Sequence, residues 1–310
     1  MIIAVFPGQG SQTPGFLEPW LELDGVRERL ERYSDLAELD LVAAGTTWDA
    51  DRIRDTRVAQ PLIVAASLVS FAALTRRGDG APDLTPDGVA GHSVGEVAAL
   101  VAAGVLGDED GMRLVGIRGR AMADAAALTE TGMSAVLGGD QEAVVARLDE
   151  LGLTPANYNG GGQIVAAGAR ASLDALASDP VPRTRVIPLP VAGAFHTDYM
   201  APAVAALEAA AADAAIADPT LPLWSNRDGA IVADGRDAVA RLVAQIASPV
   251  RWDLCMEAFA SRAVTGIVEF APAGTLVGLA KRSLRGIPSV AVSSPADLDA
   301  AAALISGDNA

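Results

Sequence analysis

Cysteine is almost absent from this 310-residue sequence: Cys255 stands alone, so no internal disulfide can form, and no Cys/His cluster has the spacing of a zinc site. Histidine is nearly as scarce, with His92 and His196 the complete set, so any imidazole chemistry must come from one of them. Basic residues are outnumbered 23 to 39, and the formal charge of -16 repels nucleic acid and anionic membrane surfaces at long range. A polyanionic partner therefore needs a local basic patch. No stretch reaches the roughly 18 uncharged apolar residues of a membrane span. Met1 to Phe6 offers neither a basic leader nor an apolar run long enough for a signal peptide. These absences lead to the expectation of a soluble, unexported protein of the reducing cytoplasm, without nucleic-acid or membrane partners.

What is present is apolar surface in quantity, 51% of the residues, enough for a substantial core in one large or two modest domains. Ile2 to Phe6 is an apolar run broken by Pro7-Gly8, the pattern of a buried strand, and the alanine- and leucine-rich stretch from about 58 to 76 follows as helix. Val89-Ala90-Gly91 ends a second strand, with a mostly buried helix from Glu96 to Val105 and another from Asp108 to about Ala126. This alternation indicates an α/β layer on a mostly parallel sheet.

Between about 130 and 190 the rhythm changes to strand Met133-Leu137, helix Gln141-Leu151, strands Pro155-Asn159 and Gln163-Ala167, helix Ala171-Ser178 and strand Thr184-Leu189. That order, βαββαβ, is the ferredoxin-like split motif. The chain thus divides into a large α/β unit over 1–128 and 191–310 and an inserted small one over 129–190. The α/β rhythm resumes with a strand at Gly266-Phe270, a helix at Thr275-Leu284 and a terminal helix from near Ala296 to Gly307. There is no internal repeat and no low-complexity linker.

Gly91-His92-Ser93-Val94-Gly95 matches G-x-S-x-G and lies between a predicted strand and a predicted helix, the context of a nucleophile elbow. Flanking glycines let the backbone turn sharply, which exposes the hydroxyl at a helix N-terminus where developing negative charge is favoured. A serine needs a base to take its proton. His92 adjoins Ser93 and the turn should point it away from the hydroxyl, which leaves His196, in Gly193-Ala194-Phe195-His196-Thr197. Asp228, Glu269 or a carbonyl oxygen could orient that ring. The glycines of Pro7-Gly8-Gln9-Gly10-Ser11-Gln12 suit either an oxyanion-hole donor or an ordinary turn after a strand. In the helix from 108, Leu114, Val115, Ala121 and Met122 mark the apolar face, and Arg118 projects from the middle of it at roughly 100° per residue. A buried guanidinium must meet a carboxylate of the protein or of a substrate, and the second case implies an acyl group with a free carboxylate.

Phe6-Pro7-Gly8-Gln9-Gly10-Ser11-Gln12, Gly91 to Glu96, Arg118-Gly119, Gly193-Ala194-Phe195-His196 and Ser248-Pro249-Val250-Arg251-Trp252, in this order and spacing, resemble the malonyl-CoA:acyl carrier protein transacylases over almost the whole chain. The resemblance implies a hydrolase-like α/β domain with a ferredoxin-like insert. It also implies a ping-pong reaction in which malonyl-CoA acylates Ser93, CoA leaves, and the phosphopantetheine thiol of acyl carrier protein takes the malonyl group, with His196 serving both halves. By similarity, the backbone N–H groups of Gln9 and Val94 form the oxyanion hole, Arg118 binds the malonyl carboxylate and the Gln245 carbonyl orients His196. Phe195 is similar to the malonyl-selecting form of related polyketide acyltransferases. No bound cofactor or metal is implied, and the protein is expected to be a monomer.

Two departures bear on the thioester channel. Gly160-Gly161 stands where the family often has Ser-Pro, which makes that loop more mobile, and Ala271-Pro272-Ala273 replaces the usual Gly-Pro-Gly. Lys281, Arg282 and Arg285 form the best local patch for an acidic carrier and CoA phosphates, with Arg183 and Arg185 second; they are otherwise solvated charges. A hydrolase with the same Ser-His pair and a carrier-docking module without catalysis are the competing readings, and Arg118 favours transfer of a charged acyl group. Fatty acid and polyketide carriers are equally open as acceptors.

Overall fold

Ile2–Phe6 is a run of apolar residues, and in the computed structural model, which describes residues 1–76 and 83–307, every one of them is buried. A strand apolar on both faces belongs at the centre of a sheet covered on both sides. The strands are Ile2–Phe6 (β1), Gly88–Gly91 (β2), Thr131–Gly138 (β3), Thr154–Gly160 (β4), Gln163–Ala169 (β5), Thr184–Pro188 (β6), Leu223–Trp224 (β7), Ile231–Val232 (β8), Val250–Arg251 (β9), Gly266–Glu269 (β10) and Ser289–Ala291 (β11). The helices are Val26–Ala37 (α1), Leu41–Thr46 (α2), Ala50–Arg54 (α3), Thr56–Thr75 (α4), Gly95–Ala102 (α5), Asp108–Ala127 (α6), Gln141–Glu150 (α7), Arg170–Ser178 (α8), Ala201–Ala212 (α9), Gly235–Gln245 (α10), Trp252–Ser261 (α11), Thr275–Ser283 (α12) and Leu298–Ser306 (α13).

One sheet has the order β11-β10-β1-β2-β7-β8, parallel throughout except for the antiparallel β7–β8 pair. The other has the order β6-β3-β5-β4-β9. Its pairs among β3 to β6 are antiparallel, and with α7 and α8 they make the βαββαβ unit read from the sequence. The fifth strand was not expected. Val250–Arg251, from well beyond that unit, adds to β4 in parallel, Asn157 opposite Val250, and so ties the two sheets together. The small sheet has its own apolar cluster around Val136, Leu148 and Ile164, while Met133, Ala156 and Val165 on it join the main core. The fold is a mixed α/β architecture of a large and a small unit.

The expectation that no stretch is long and apolar enough to cross a membrane needs correction. Thr56–Thr75 has a mean hydropathy of 1.8 and passes on length and composition, yet 78% of its most apolar window is buried inside the protein. α4 is therefore a core helix. It is capped by Asp55, whose carboxylate accepts from the Arg57 N–H. α6 crosses it closely at Gly119, where an added Cβ would stand 2.9 Å from the Thr56 carbonyl oxygen. That close crossing brings Arg118, the adjacent residue, within reach of Gln60 on α4.

The departures from the family pattern fall outside the catalytic cleft described below. Gly160, Gly161 and Gly162 all have positive φ and close the β4–β5 hairpin, and a Cβ on Gly160 would press within 2.6 Å of the Met256 side chain. Ala271 is held against α4, its N–H donating to Ser70 Oγ and its carbonyl accepting from Ser67.

Candidate active site

Two strand ends meet at the carboxyl edge of the large sheet, the edge at which open α/β sheets bind ligands. β1 runs into Pro7-Gly8-Gln9 and β2 into His92-Ser93-Val94. Between β2 and α5, Ser93 adopts φ 54°, a left-handed conformation uncommon for a residue with a side chain. The turn is so tight that a Cβ on Gly91 would lie 2.0 Å from the Gly95 carbonyl carbon, and one on Gly95 would lie 2.2 Å from the Phe6 carbonyl oxygen. Both glycines are thus required by close approach. Asn226, just after β7, braces the turn: its side chain accepts from the Ser93 N–H at 2.7 Å and donates to the Gly91 carbonyl at 2.7 Å.

His196 reaches the same point from the loop after β6. Thr131 at the start of β3 accepts from the Ala194 N–H, and Thr197 donates back to the Ala194 carbonyl, which fixes the turn that carries the ring. His196 Nε2 stands 2.7 Å from Ser93 Oγ, and its Nδ1 stands 2.8 Å from the Gln245 carbonyl oxygen. A carbonyl only accepts, so the ring proton sits on Nδ1 and the Nε2 lone pair faces the hydroxyl. Burial, with the nearby Arg118 charge second, pushes the ring down to about 3, against the opposing effect of the Gln245 bond. At neutral pH the imidazole is uncharged and able to accept a proton. Asp228 is instead paired with Arg241, and Glu269 caps α12 through the N–H groups of Gly274, Leu276 and Val277.

A cleft of about 80 Å³ opens here, lined by Gln9, Gln60, His92, Ser93, Val94, Met122, Phe195 and His196 among others. Among the described residues, neither the Gln9 nor the Val94 backbone N–H has a protein acceptor. His92 turns to Asn159 on β4, at 2.8 Å, and packs its ring against Trp252. Burial lowers its pKa as well.

Arg118 is fully buried. It meets no carboxylate among the described residues; Nη1 donates to Gln60 Oε1 at 2.6 Å and Nη2 to Gln245 Oε1 at 2.9 Å, while Nε has no partner. Burial brings it down to about 10, with Glu96 acting in the other direction, so it remains a cation at neutral pH. Arg118 does not itself line the cleft; Gln60 stands between. The patch residues Lys281, Arg282 and Arg285 are exposed at the end of α12 and just after it, with Arg282 bonded to Gln163 on β5. Arg183 and Arg185 are exposed around the start of β6.

Sequence reasoning missed the polar layer beneath these groups. Glu96 Oε1 accepts from the Asn226 N–H at 2.6 Å, and Glu96 Oε2 accepts from Gln245 Nε2 at 2.5 Å. Gln245 Nε2 also donates to Asn226 Oδ1 at 3.1 Å. Glu96 closes the quoted elbow motif and Gln60 interrupts an apolar helix, so each carried a signal; Asn226 carried none beyond its place at a strand end.

Residues 3–299 match the acyl transferase domain family. The chain belongs to that family. It is similar to the malonyl CoA-acyl carrier protein transacylase of Mycobacterium tuberculosis, with 54% identity over 300 residues, covering 96% of this chain and 98% of the relative. It is also similar to the crystal structure of MCAT from Mycobacterium tuberculosis, with a TM-score of 0.92 and 53% identity, covering 97% of this chain and all of that one. A malonyl-transacylase solved in complex with a type II PKS acyl-carrier protein superposes with a TM-score of 0.88 at 30% identity, covering 99% of each chain.

Proposed function

We propose that this acyl transferase moves the malonyl group of malonyl-CoA to the phosphopantetheine thiol of an acyl carrier protein through a malonyl-Ser93 intermediate. The observation that carries the reading is the line from the Gln245 carbonyl through His196 to Ser93 Oγ, set beside two backbone N–H groups without protein acceptors among the described residues. In the first half-reaction Ser93 Oγ attacks the thioester carbonyl while its proton passes to His196 Nε2. The negative oxygen of the tetrahedral intermediate accepts from the Gln9 and Val94 N–H groups, a donor of this kind being worth about 3 kcal/mol. The Gln245 carbonyl holds the imidazolium at Nδ1, and the departing CoA sulfur takes the proton from Nε2. In the second half the carrier thiol gives its proton to Nε2 and attacks the acyl-serine, and Ser93 leaves with that proton.

Arg118 binds the malonyl carboxylate, which takes the place of the Gln60 oxygen now between the guanidinium and the cleft, and Phe195 bounds the acyl group. Lys281, Arg282 and Arg285 dock the carrier or the CoA phosphates. The enzyme works as a monomer in the cytoplasm with no bound cofactor, the segment 129–190 forming the inserted unit, and it supplies carriers of fatty acid and of polyketide synthesis.

Ser93→Ala tests the nucleophile. Transfer from malonyl-CoA to holo-carrier should fall to background, and transfer retained above background would overturn the assignment. Arg118→Ala should lose malonyl transfer with a relative gain for acetyl; equal losses for both would remove Arg118 from substrate recognition.

A further inference from the structure

Gln245 takes part in the site twice, through its backbone carbonyl at His196 and through its side-chain amide at Arg118. A carboxamide has one accepting end and one donating end of nearly equal size, and a half-turn about its last bond exchanges them. Only the accepting end can receive Arg118 Nη2. The donating end is held by Glu96 Oε2 at 2.5 Å and by Asn226 Oδ1 at 3.1 Å; burial pushes the Glu96 carboxyl up to about 7, and above that pH it is a carboxylate that accepts only. Glu96 is in turn anchored, since its other oxygen accepts from the Asn226 backbone N–H at 2.6 Å. The chain of contacts leaves one arrangement that satisfies every group.

We propose that Glu96 is a positioning residue for acyl-group selection: with Asn226 it fixes the Gln245 amide in a single orientation, and so aims the Arg118 guanidinium at the carboxylate of the acyl group. This rests on the reading of Arg118 as the malonyl-carboxylate site. It also accounts for a carboxylate buried within the main core at 6% exposure without a direct ion pair among the described residues. Glu96 and Arg118 are linked through a neutral amide, so no protein carboxylate occupies the place at Arg118 that a substrate carboxylate would take.

Glu96→Gln, compared with wild type at about pH 8 to 8.5 where Glu96 is ionised, is the test, because it preserves shape and removes one acceptor. The Asn226 N–H is backbone and cannot turn, so the substituted amide keeps its oxygen there and presents its NH2 group to Gln245. Arg118 Nη2 and Asn226 Oδ1 still favour the present orientation, so the Gln245 NH2 group meets that second NH2 group and the side chain must shift or turn away from Arg118. The ratio of malonyl-CoA to acetyl-CoA acylation rates should fall about tenfold or more, the size of one lost charge-assisted hydrogen bond. On an Arg118→Ala background, Glu96→Gln should leave that ratio unchanged. Gln245→Met, which retains the backbone carbonyl at His196, should lower the ratio in the same way and not add to Glu96→Gln; it decides the matter if the Glu96 variant does not fold, an unchanged ratio being contrary to the proposal. Equal losses for both acyl groups in Glu96→Gln, or a further fall on the Arg118→Ala background, would overturn the role of Glu96. If Arg118→Ala alone leaves the ratio unchanged, the reading of Arg118 fails first and the inference goes with it.

Discussion

The fold keeps His196 uncharged, as the base proposed for Ser93 must be. The unfolded chain protonates this ring as pH falls below about 6.5, whereas the buried ring in the native state holds out to about 3. The native state therefore binds fewer protons over that window, so the ring's contribution to stability is full above the unfolded value and is lost as pH falls. Between pH 7 and 5 the wild type should lose on the order of 2 kcal/mol more unfolding free energy than His196→Ala, measured by urea denaturation at each pH. Equal losses would mean that the ring is solvated or already charged. Ser93 and His196 were legible because each stands in a short glycine-punctuated segment and the chain has only two histidines to choose from. Arg118 was legible as a cation on an apolar helix face. What its charge meets was not, because Gln60 and Gln245 lie 58 and 127 positions away, and amides carry no charge by which pairing could be foreseen.

The β2–α5 turn is the element on which the site depends, and its two glycines have different neighbours. Gly91 presses on Gly95 within the turn, whereas Gly95 presses on the Phe6 carbonyl of β1. Gly95→Ala should therefore part β1 from α5 and cost about 3 kcal/mol or more, the upper range for overpacking. A lowered urea midpoint with an unchanged slope is the expected signature; a midpoint within error of wild type would show that the turn relaxes freely. The ferredoxin-like unit was readable almost strand for strand, since alternating apolar runs there are bounded by Gly, Asp and Pro. β7, β8 and β9 were not, because strands of two residues have no periodicity to detect. α9 was equally silent: its alanine-rich sequence carries little contrast between its faces. The cost of missing β9 is specific, as it joins the small sheet to the segment leading from Gln245.

Across the molecule, a net charge of -16 sets a problem for any acidic carrier, and only local fields can solve it. The basic side chains at Lys281, Arg282 and Arg285 are exposed and flank the β4–β5 hairpin through Arg282 and Gln163. Reversing charge with Arg282→Glu and Arg285→Glu should raise the KM for carrier severalfold at low salt, with the difference shrinking as salt is added. A carrier KM that does not respond would assign docking to another face. The central claim, that Ser93 carries a malonyl group between two thiols, is tested most directly by intact-protein mass spectrometry. The protein is incubated briefly with malonyl-CoA, the adduct is mapped to its peptide, and holo-carrier is then added. The account predicts one malonyl adduct on the Ser93 peptide that the carrier discharges while gaining the same mass. An absent adduct with free malonate accumulating, or no adduct and no turnover, would contradict it.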